Sequence, residues 1–561
     1  MDVPAQRAVV PATALVLGVT SHRDLRAEEV PPLRRFLDEA IGRLRDAFPG
    51  LSLALLSPLA EGGDQLVAEV ALAHGARLYV PLPMPVELYL DDFPDAEARA
   101  RFLALLAQAT PIQLASPGLD LDRLRTPGPG RDHQDLAAGL HVANHCHLLM
   151  ALWDGSDDGG RGGTAEIVRY YLGGPLPGAR RATDNLRQML AGDDDSLVLH
   201  VPVRRASVPS APTPPPPRWL TSAGARAYAA GMPPDYRRIF ERMQVFERDR
   251  RRLARGMGPG RADADEVDRA LAVVDAMAVH YQRLMTSAMR TIHVLAVVMG
   301  LSFLLYSDLG APSWMLWVFL LFFAVGLLAA STAHRYDWHR KYIDYRALAE
   351  GIRVQSFWRR ACLQVEGDPE FAHDNFLQKQ DVELGWIRNV MRQLGLQPLP
   401  PCDDPAAAVD AVVEEWVGRP GESGQLGYYA RKAALRARHH QRTRALGAAC
   451  LWAGIAISLL LAAAHNLLPL AVQNVLVTVM GALSLVAAVR EAYSYRKADK
   501  ELVKQYRFMQ RIYGNARIAL DAARGTREKR EILRALGEAA LAEHAEWALM
   551  HRDRPIEHGK P

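Results

Sequence analysis

Two different hydrophobic rhythms divide the chain. Up to about residue 205, short apolar β-rich runs alternate with helical segments: ALVLGV, then 28–48; LSLALLSPL, then 62–75; RLYVPLP, then 95–110; HLLMALWD, then 164–172; and finally LVLHVPV. Strands alternating with helices at this spacing predict a parallel sheet covered on both faces, a Rossmann-like α/β domain. Beyond residue 290 the rhythm stops. From Thr291 to Ala333 the one formally charged residue is Asp308, and from Ala445 to Val489 there is no Asp, Glu, Lys or Arg. Each block is about twice the roughly 20 apolar residues that one helix needs to cross a bilayer. Each is broken near its middle by a polar, proline-bearing turn, SDLGAPS (307–313) and HNLLP (465–469). The pattern predicts an all-α membrane domain of two hairpins with spans near 291–306, 313–333, 445–464 and 467–489.

Charge sets the orientation. Neither hairpin tip carries Lys or Arg, whereas the open ends read HRYDWHRKYIDYR (334–346), RKAALRARHHQRTR (431–444) and REAYSYRKADK (490–500). The positive-inside rule then places both termini and the central region in the cytoplasm of a multi-pass membrane protein. The six basic and no acidic residues of 431–444 set that topology and also attract anionic headgroups. Net charge is only +4, which excludes a general nucleic-acid binder. The four cysteines, 146, 362, 402 and 450, form no close pair, so neither a disulfide framework nor a zinc site is expected, and a reducing compartment suits them. The N-terminus has no basic stretch leading into a long apolar run, so no cleavable signal peptide is expected.

The two hairpins form a loose repeat, each followed by a charged helix carrying aromatics: Tyr336, Trp338, Tyr342 and Tyr345 in one copy, Tyr493, Tyr495, Tyr506 and Tyr513 in the other. These are expected to pack neighbouring helices. Gly326 with Ala330, and Gly454 with Ser458, are spaced to let helices approach closely. Gln473 and Asn474 either bond a neighbouring helix or line an aqueous path. Ion-coupled transporters need ionisable groups at membrane depth. These spans contain none, so a pore or membrane-disturbing oligomer fits better.

In a parallel sheet, ligands sit beyond the carboxyl ends of the strands. Three such ends carry candidate chemistry. In GVTSHRD (18–24), Gly18 permits close backbone approach, and Thr20, His22 and Arg23 offer donors to phosphate or ribose. In SPLAEGGDQL (57–66), Ser57, Glu61, Gly62, Gly63 and Asp64 surround a helix start whose amides suit an anion. In ALWDGSDDGGRGGTAEIV (151–168), Trp153 offers a stacking face, Gly155, Gly162 and Gly163 bare the backbone, and Thr164 caps a helix with Glu166 in its first turn. Ordinary tight turns are the alternative. His133, His141, His145 and His147 cluster in sequence, but the last enters a strand, so no metal is assigned.

GVTSHRDL, SPLAEGGDQLVAEVAL, VPLPMP and LLMALWDG followed by GGTAEIV resemble the SLOG superfamily, the Rossmann-like group that includes the cytokinin-activating phosphoribohydrolases. The resemblance covers residues 12–205. The membrane half, with HRKYIDYRALAEGIR (339–353), resembles the SLATT effector domains found beside SLOG sensors in bacterial conflict systems. The resemblance implies a sensor of nucleotides or nucleotide-derived signals controlling a pore-forming effector in antiviral defence. In the hydrolase branch the glycine loop reads PGGxGTxxE. This chain reads GRGGTAE, which shifts the acid by one residue and so rotates it by about 100° around the helix. An N-glycosidase with Glu166 and Asp154 as its acids is therefore the alternative to a binding-only sensor, and a non-catalytic scaffold is a third. The expected organisation is 1–205, the nucleotide-binding domain; 206–234, a proline-rich linker; 235–400, cytoplasmic helices with the first hairpin; and 401–561, the second hairpin with a C-terminal helix. The expected partners are a nucleotide-type ligand with no other cofactor, a bilayer with anionic headgroups, and further copies of the chain, without a stable nucleic-acid partner.

Overall fold

A computed structural model describes residues 12–552 except 94, 115–123, 127, 158–159, 175, 177–195, 209–212, 256–264, 311, 364–375, 378–381, 400–401, 465 and 498. The chain forms two compact units, one from Met1–Val274 and Leu348–Cys402, the other from Asp275–Ala347 and Asp403–Pro561. The units are thus discontinuous in sequence, whereas the expected divisions run continuously.

The first unit is built on an eight-stranded sheet: β1 Ala14–Ser21, β2 Ser52–Leu56, β3 Arg77–Leu82, β4 Ala109–Gln113, β5 Leu148–Trp153, β6 Val198–Pro202, β7 Arg218–Thr221 and β8 Gly224–Ala227. The order is β4-β3-β2-β1-β5-β6-β7-β8; β1 to β6 run parallel, and β7 and β8 are antiparallel. Residues Ala14 to Leu17 of the central β1 are fully buried, as expected for a parallel strand covered on both faces. The helices are α1 Val30–Ala47, α2 Gly63–Ala73, α3 Val86–Tyr89, α4 Ala96–Leu106, α5 Pro129–His145, α6 Thr164–Tyr171, α7 Pro234–Ala254, α8 Glu266–Asp308, α9 Trp314–Arg335, α10 Trp338–Arg360, α11 Gly385–Gly395, α12 Pro405–Val412, α13 Gly424–Ala464, α14 Leu470–Arg496, α15 Asp499–Ala522 and α16 Thr526–Arg552. The Rossmann-like arrangement and the all-α second half agree with the hydrophobic pattern.

Four features depart from it. The pattern omits β4 and α5, because ATPIQ is a short, largely solvent-facing edge strand and PGRDHQDLAAGLHVANH has a weak apolar stripe. The segment 206–234 does not remain a spacer: RWLT and GARA after the prolines form the β7–β8 hairpin, and Trp219 is buried. Residues 209–212 of that segment lie outside those described. The segment 385–395, which comes after the first hairpin in sequence, backs the sheet. Gln393 Oε1 accepts from Ala14 N at 2.8 Å, and His147 Nε2 donates to the Asn389 carbonyl at 2.8 Å while its Nδ1 accepts from Val16 N at 3.1 Å. Finally, Cys362 and Cys402 form a disulfide with Cα atoms 6.3 Å apart, correcting the expectation of none. Forty residues separate the two in sequence, so spacing could not announce their meeting.

Four helices among the described residues, α8, α9, α13 and α14, are long and apolar enough to cross a membrane. At 43 residues, α8 is about 65 Å long, so it extends well beyond a hydrocarbon core of about 30 Å. Trp317 (73% exposed) and Leu328 (68%) turn outward on α9, an arrangement suited to lipid and not to water. Close helix approach comes at glycines other than those expected. A Cβ at Gly300 would strike Leu485, and one at Gly481 would meet Leu304 at 2.9 Å, so α8 and α14 exchange a leucine into each other's glycine notch. Gly454 has open space around it, and Ser458 Oγ donates back to its carbonyl at 2.9 Å; Gly326 meets only Leu295 at 3.9 Å. Gln473 Nε2 donates to the Leu468 carbonyl at 2.9 Å, tying down the hairpin turn. Some of the aromatics pack between helices, as in Tyr281 with Tyr345 (5.5 Å between ring centres) and Tyr429 with Tyr506 (5.9 Å) and Tyr513 (5.6 Å), whereas Tyr336 and Tyr495 are exposed.

Candidate functional site

The parallel strands reverse direction of progression at β1: the chain moves outward through β2, β3 and β4, then returns to lay β5 on the other side of β1. Helices leaving β1 and β5 cover opposite faces, which opens a crevice at their carboxyl ends. A cleft of about 400 Å³ occupies this place. Its walls are the end of β1 (Val19 to Asp24), the turn after β2 (Pro58, Ala60, Asp64), Pro83 and Tyr89 beyond β3, Asp135, Ala138 and Gly139 of α5, the loop after β5 (Trp153, Ser156, Gly160 to Ala165), and Arg205 after β6.

The three strand ends singled out in the sequence therefore meet, and Thr20, His22, Arg23, Asp64, Trp153, Gly162, Gly163 and Thr164 all line one cavity. The remaining candidates stand behind it or beside it. Gly18 lies under α5, where a Cβ would come within 2.8 Å of both Cys146 and Val142, so its lack of a side chain serves helix-on-sheet packing. Gly62, at φ 88°, would drive a Cβ into the Arg23 carbonyl, and Gly63 would meet Ser21 at 2.6 Å. This glycine pair lets the first two strand-end turns press on each other, and Gly63 N donates to the His22 carbonyl at 3.4 Å. Ser57 is fully buried, with its Oγ accepting from Leu59 N at 3.1 Å; Glu61 and Gly155 lie outside the cavity wall.

The acids of the glycosidase alternative are tied to their own loop. Glu166 Oε2 accepts from Gly162 N at 2.6 Å, closing the glycine loop over the start of α6. Asp154 Oδ1 accepts from Ser156 N at 3.0 Å and lies 3.1 Å from His22 Nε2. The Ser156 amide and His22 hold the Asp154 carboxyl below its ordinary range against the opposing effect of burial. Neither acid lines the cavity. Of the amides at the head of α6, Glu166 N and Ile167 N bond the Gly163 carbonyl, whereas those of Thr164 and Ala165 have no partner among the described contacts. These two N–H groups, at the positive end of the helix dipole, are the backbone donors that an anion can reach. Trp153 keeps its ring on the cavity while its Nε1 donates to the Ser156 carbonyl at 2.8 Å.

The wall joins Asp64, a candidate from the sequence, to Tyr89, Asp135 and Arg161, which were not among the candidates. Burial raises the Asp64 carboxyl to about 7, against the opposing hydrogen bond from Ser21 Oγ at 2.6 Å and the nearby Arg23. Burial likewise raises Asp135, to about 6, although Arg23 Nη2 lies 3.7 Å from its Oδ2. Tyr89 donates to the Pro58 carbonyl at 3.1 Å. Arg161, inside the glycine loop, has no carboxylate partner among the described residues, whereas Arg205 is paired with Asp24 at 3.1 Å. Arg161 was passed over, although GRGGTAE shows a cation among the glycines; Asp135, on a helix that the pattern missed, carried no such signal. The cavity thus combines cationic donors and helix-end amides with two carboxyl groups that burial pushes up, Asp64 to about 7 and Asp135 to about 6. That set can hold a ligand bearing both a phosphate and hydroxyl or amine donors.

Of the histidines clustered in sequence, His141, His145 and His147 lie in the interior. His141 and His145 stack at 4.2 Å in the interior, and burial lowers the basicity of both. No family model matches this sequence, and no match is found among curated proteins or solved structures.

Proposed function

We propose that the chain is a membrane-anchored sensor and effector, in which the strand-end cleft binds a nucleotide or nucleotide-derived signal and so controls the packing of the four apolar helices. The observation that carries this reading is the cleft's position. It lies at the switch point of a parallel sheet, where ligand sites of such folds form. Arg161 and the Thr164 and Ala165 amides are suited to a phosphate, Trp153 to a base, and Asp135 to a ribose hydroxyl. The motif resemblances to SLOG sensors and SLATT effectors support the same division of labour and a role in bacterial defence. Positive flanks support cytoplasmic termini and an anionic bilayer. The helices α8 and α10 each contribute residues to both compact units, which supports them as the connecting elements.

The test is to purify the full chain, identify small molecules carried with it by mass spectrometry, and return them to protein reconstituted in dye-loaded vesicles. Ligand-dependent dye release is expected, with affinity lowered about tenfold or more in Arg161→Ala, the loss of one charge-assisted contact. Release of free base from a bound nucleotide would favour the glycosidase alternative. Leak that is indifferent to ligand in both wild type and variant would overturn the sensor reading.

A further inference from the structure

The first unit carries a second concavity, of about 360 Å³, between Gly50, just past the end of α1, and the last turns of α7. Gln244, Glu247, Arg248, Arg251, Arg252 and Arg255 form its wall. The four arginines fall at i, i+3, i+4 and i+7, on one helical face, and all are solvent-exposed. Gly50 lets the turn close on that face, because a Cβ there would meet Gln244 at 2.6 Å.

The charges in this wall do not cancel. Glu247 is almost fully buried and its carboxylate is saturated: Oε1 accepts from Arg250 Nη2 at 2.8 Å and Arg251 Nε at 2.6 Å, and Oε2 from Arg250 Nε at 2.6 Å, Thr13 Oγ1 at 2.7 Å and Thr13 N at 3.1 Å. Arg251 also reaches the Gly50 carbonyl at 3.2 Å, which fixes it across the concavity. Arg248, Arg252 and Arg255 have no carboxylate partner among the described residues. The helix dipole accounts for cations in the last turn of α7, but not for Arg248 two turns from its end or for a hollow at the same place. Adjacent guanidinium groups that repel one another, set around a small-molecule-sized hollow, are stabilised by a multiply charged anion.

We propose that this concavity is a second anion site, separate from the strand-end cleft, and that it takes a compact ligand bearing two or more phosphate groups. Both a soluble polyphosphorylated metabolite and a polyphosphorylated lipid headgroup have this chemistry. Inorganic tripolyphosphate is the probe, titrated calorimetrically into the full chain in nanodiscs of neutral lipid. Arg252→Ala with Arg255→Ala is expected to weaken binding about tenfold or more without lowering the melting temperature, since both side chains are exposed. Arg99→Ala, an exposed arginine elsewhere, is expected to bind as wild type. Arg23→Ala, in the cleft, is expected to leave this binding intact, so failure here and failure of the sensor reading are distinguishable. Undiminished binding in the double variant, or no tripolyphosphate binding by wild type, overturns the proposal. Repeating the titration in nanodiscs containing a phosphoinositide separates the sources: competition seen in wild type and absent from the double variant assigns the site to a headgroup, and its absence assigns it to a soluble ligand.

Discussion

Asp64 is the residue at which the cleft's chemistry and its stability meet. Burial holds its carboxyl near 7, well above the value of an exposed aspartate, so the folded state keeps a proton that the unfolded chain releases near pH 4. For a group raised in this way the stabilisation is complete at pH values below the unfolded pKa and is lost as pH rises through the folded one. Asp64→Asn, which mimics the protonated form beside Ser21, is therefore expected to be more stable than wild type at pH 8, by up to about 4 kcal/mol, and to converge with it below pH 4. A calorimetric pH series checks this. The same titration bears on ligands. Between about pH 5 and 8, Asp135 and then Asp64 add negative charge to the cleft wall, so affinity for a phosphate-bearing ligand is expected to fall across that window and to fall less in Asp64→Asn. A pH-independent affinity would show that the anion sits away from both acids.

The glycine notches decide how the apolar helices pack. Gly300 of α8 receives Leu485 of α14, and Gly481 of α14 receives Leu304 of α8. Within a bilayer such close backbone approach supplies the dispersion that drives association, because lipid tails remove most of the hydrophobic contribution. Gly300→Val overfills one notch and is expected to destabilise the detergent-solubilised protein by about 1–3 kcal/mol. Leu485→Ala in the same chain is expected to restore much of that loss, a coupling that a double-mutant thermal series reads directly. Additive losses would place the two side chains out of contact. At the sheet edge, the β7–β8 hairpin shows why a proline run says little about the residues beyond it: prolines donate no amide, but the chain past them regains donors and pairs with β6.

For the molecule as a whole, the positive flanks of the four apolar helices predict which ends face the cytoplasm. A cysteine placed at Ser307, in the first hairpin turn, is expected to react with an impermeant thiol reagent from outside intact cells, and one at Thr526 only after the cells are opened. The reverse pattern would invert the topology and put the cleft on the wrong side for a cytoplasmic nucleotide.

Much of this architecture is local and so readable along the chain. An uncharged stretch of 45 residues has no solvent-compatible face, and strand-helix alternation at short spacing closes only as a parallel sheet, so the four apolar helices, the Rossmann-like order and the three strand-end turns were all visible in the sequence. Features that depended on contacts between distant residues were not visible. The partnership of Gln393 with β1, the bond between Cys362 and Cys402, the pairing of Gly300 with Leu485, and the arrival of Asp135 beside Arg23 each join segments whose spacing carries no periodicity. Gly18, Gly62 and Gly63 show the same limit within a motif. The sequence called for freedom from a side chain at each, and only the tertiary packing revealed that the neighbour requiring it is a helix or another turn of this chain. Periodicity records which face of an element is buried, whereas the identity of the surface that buries it arises only when non-local segments are brought together.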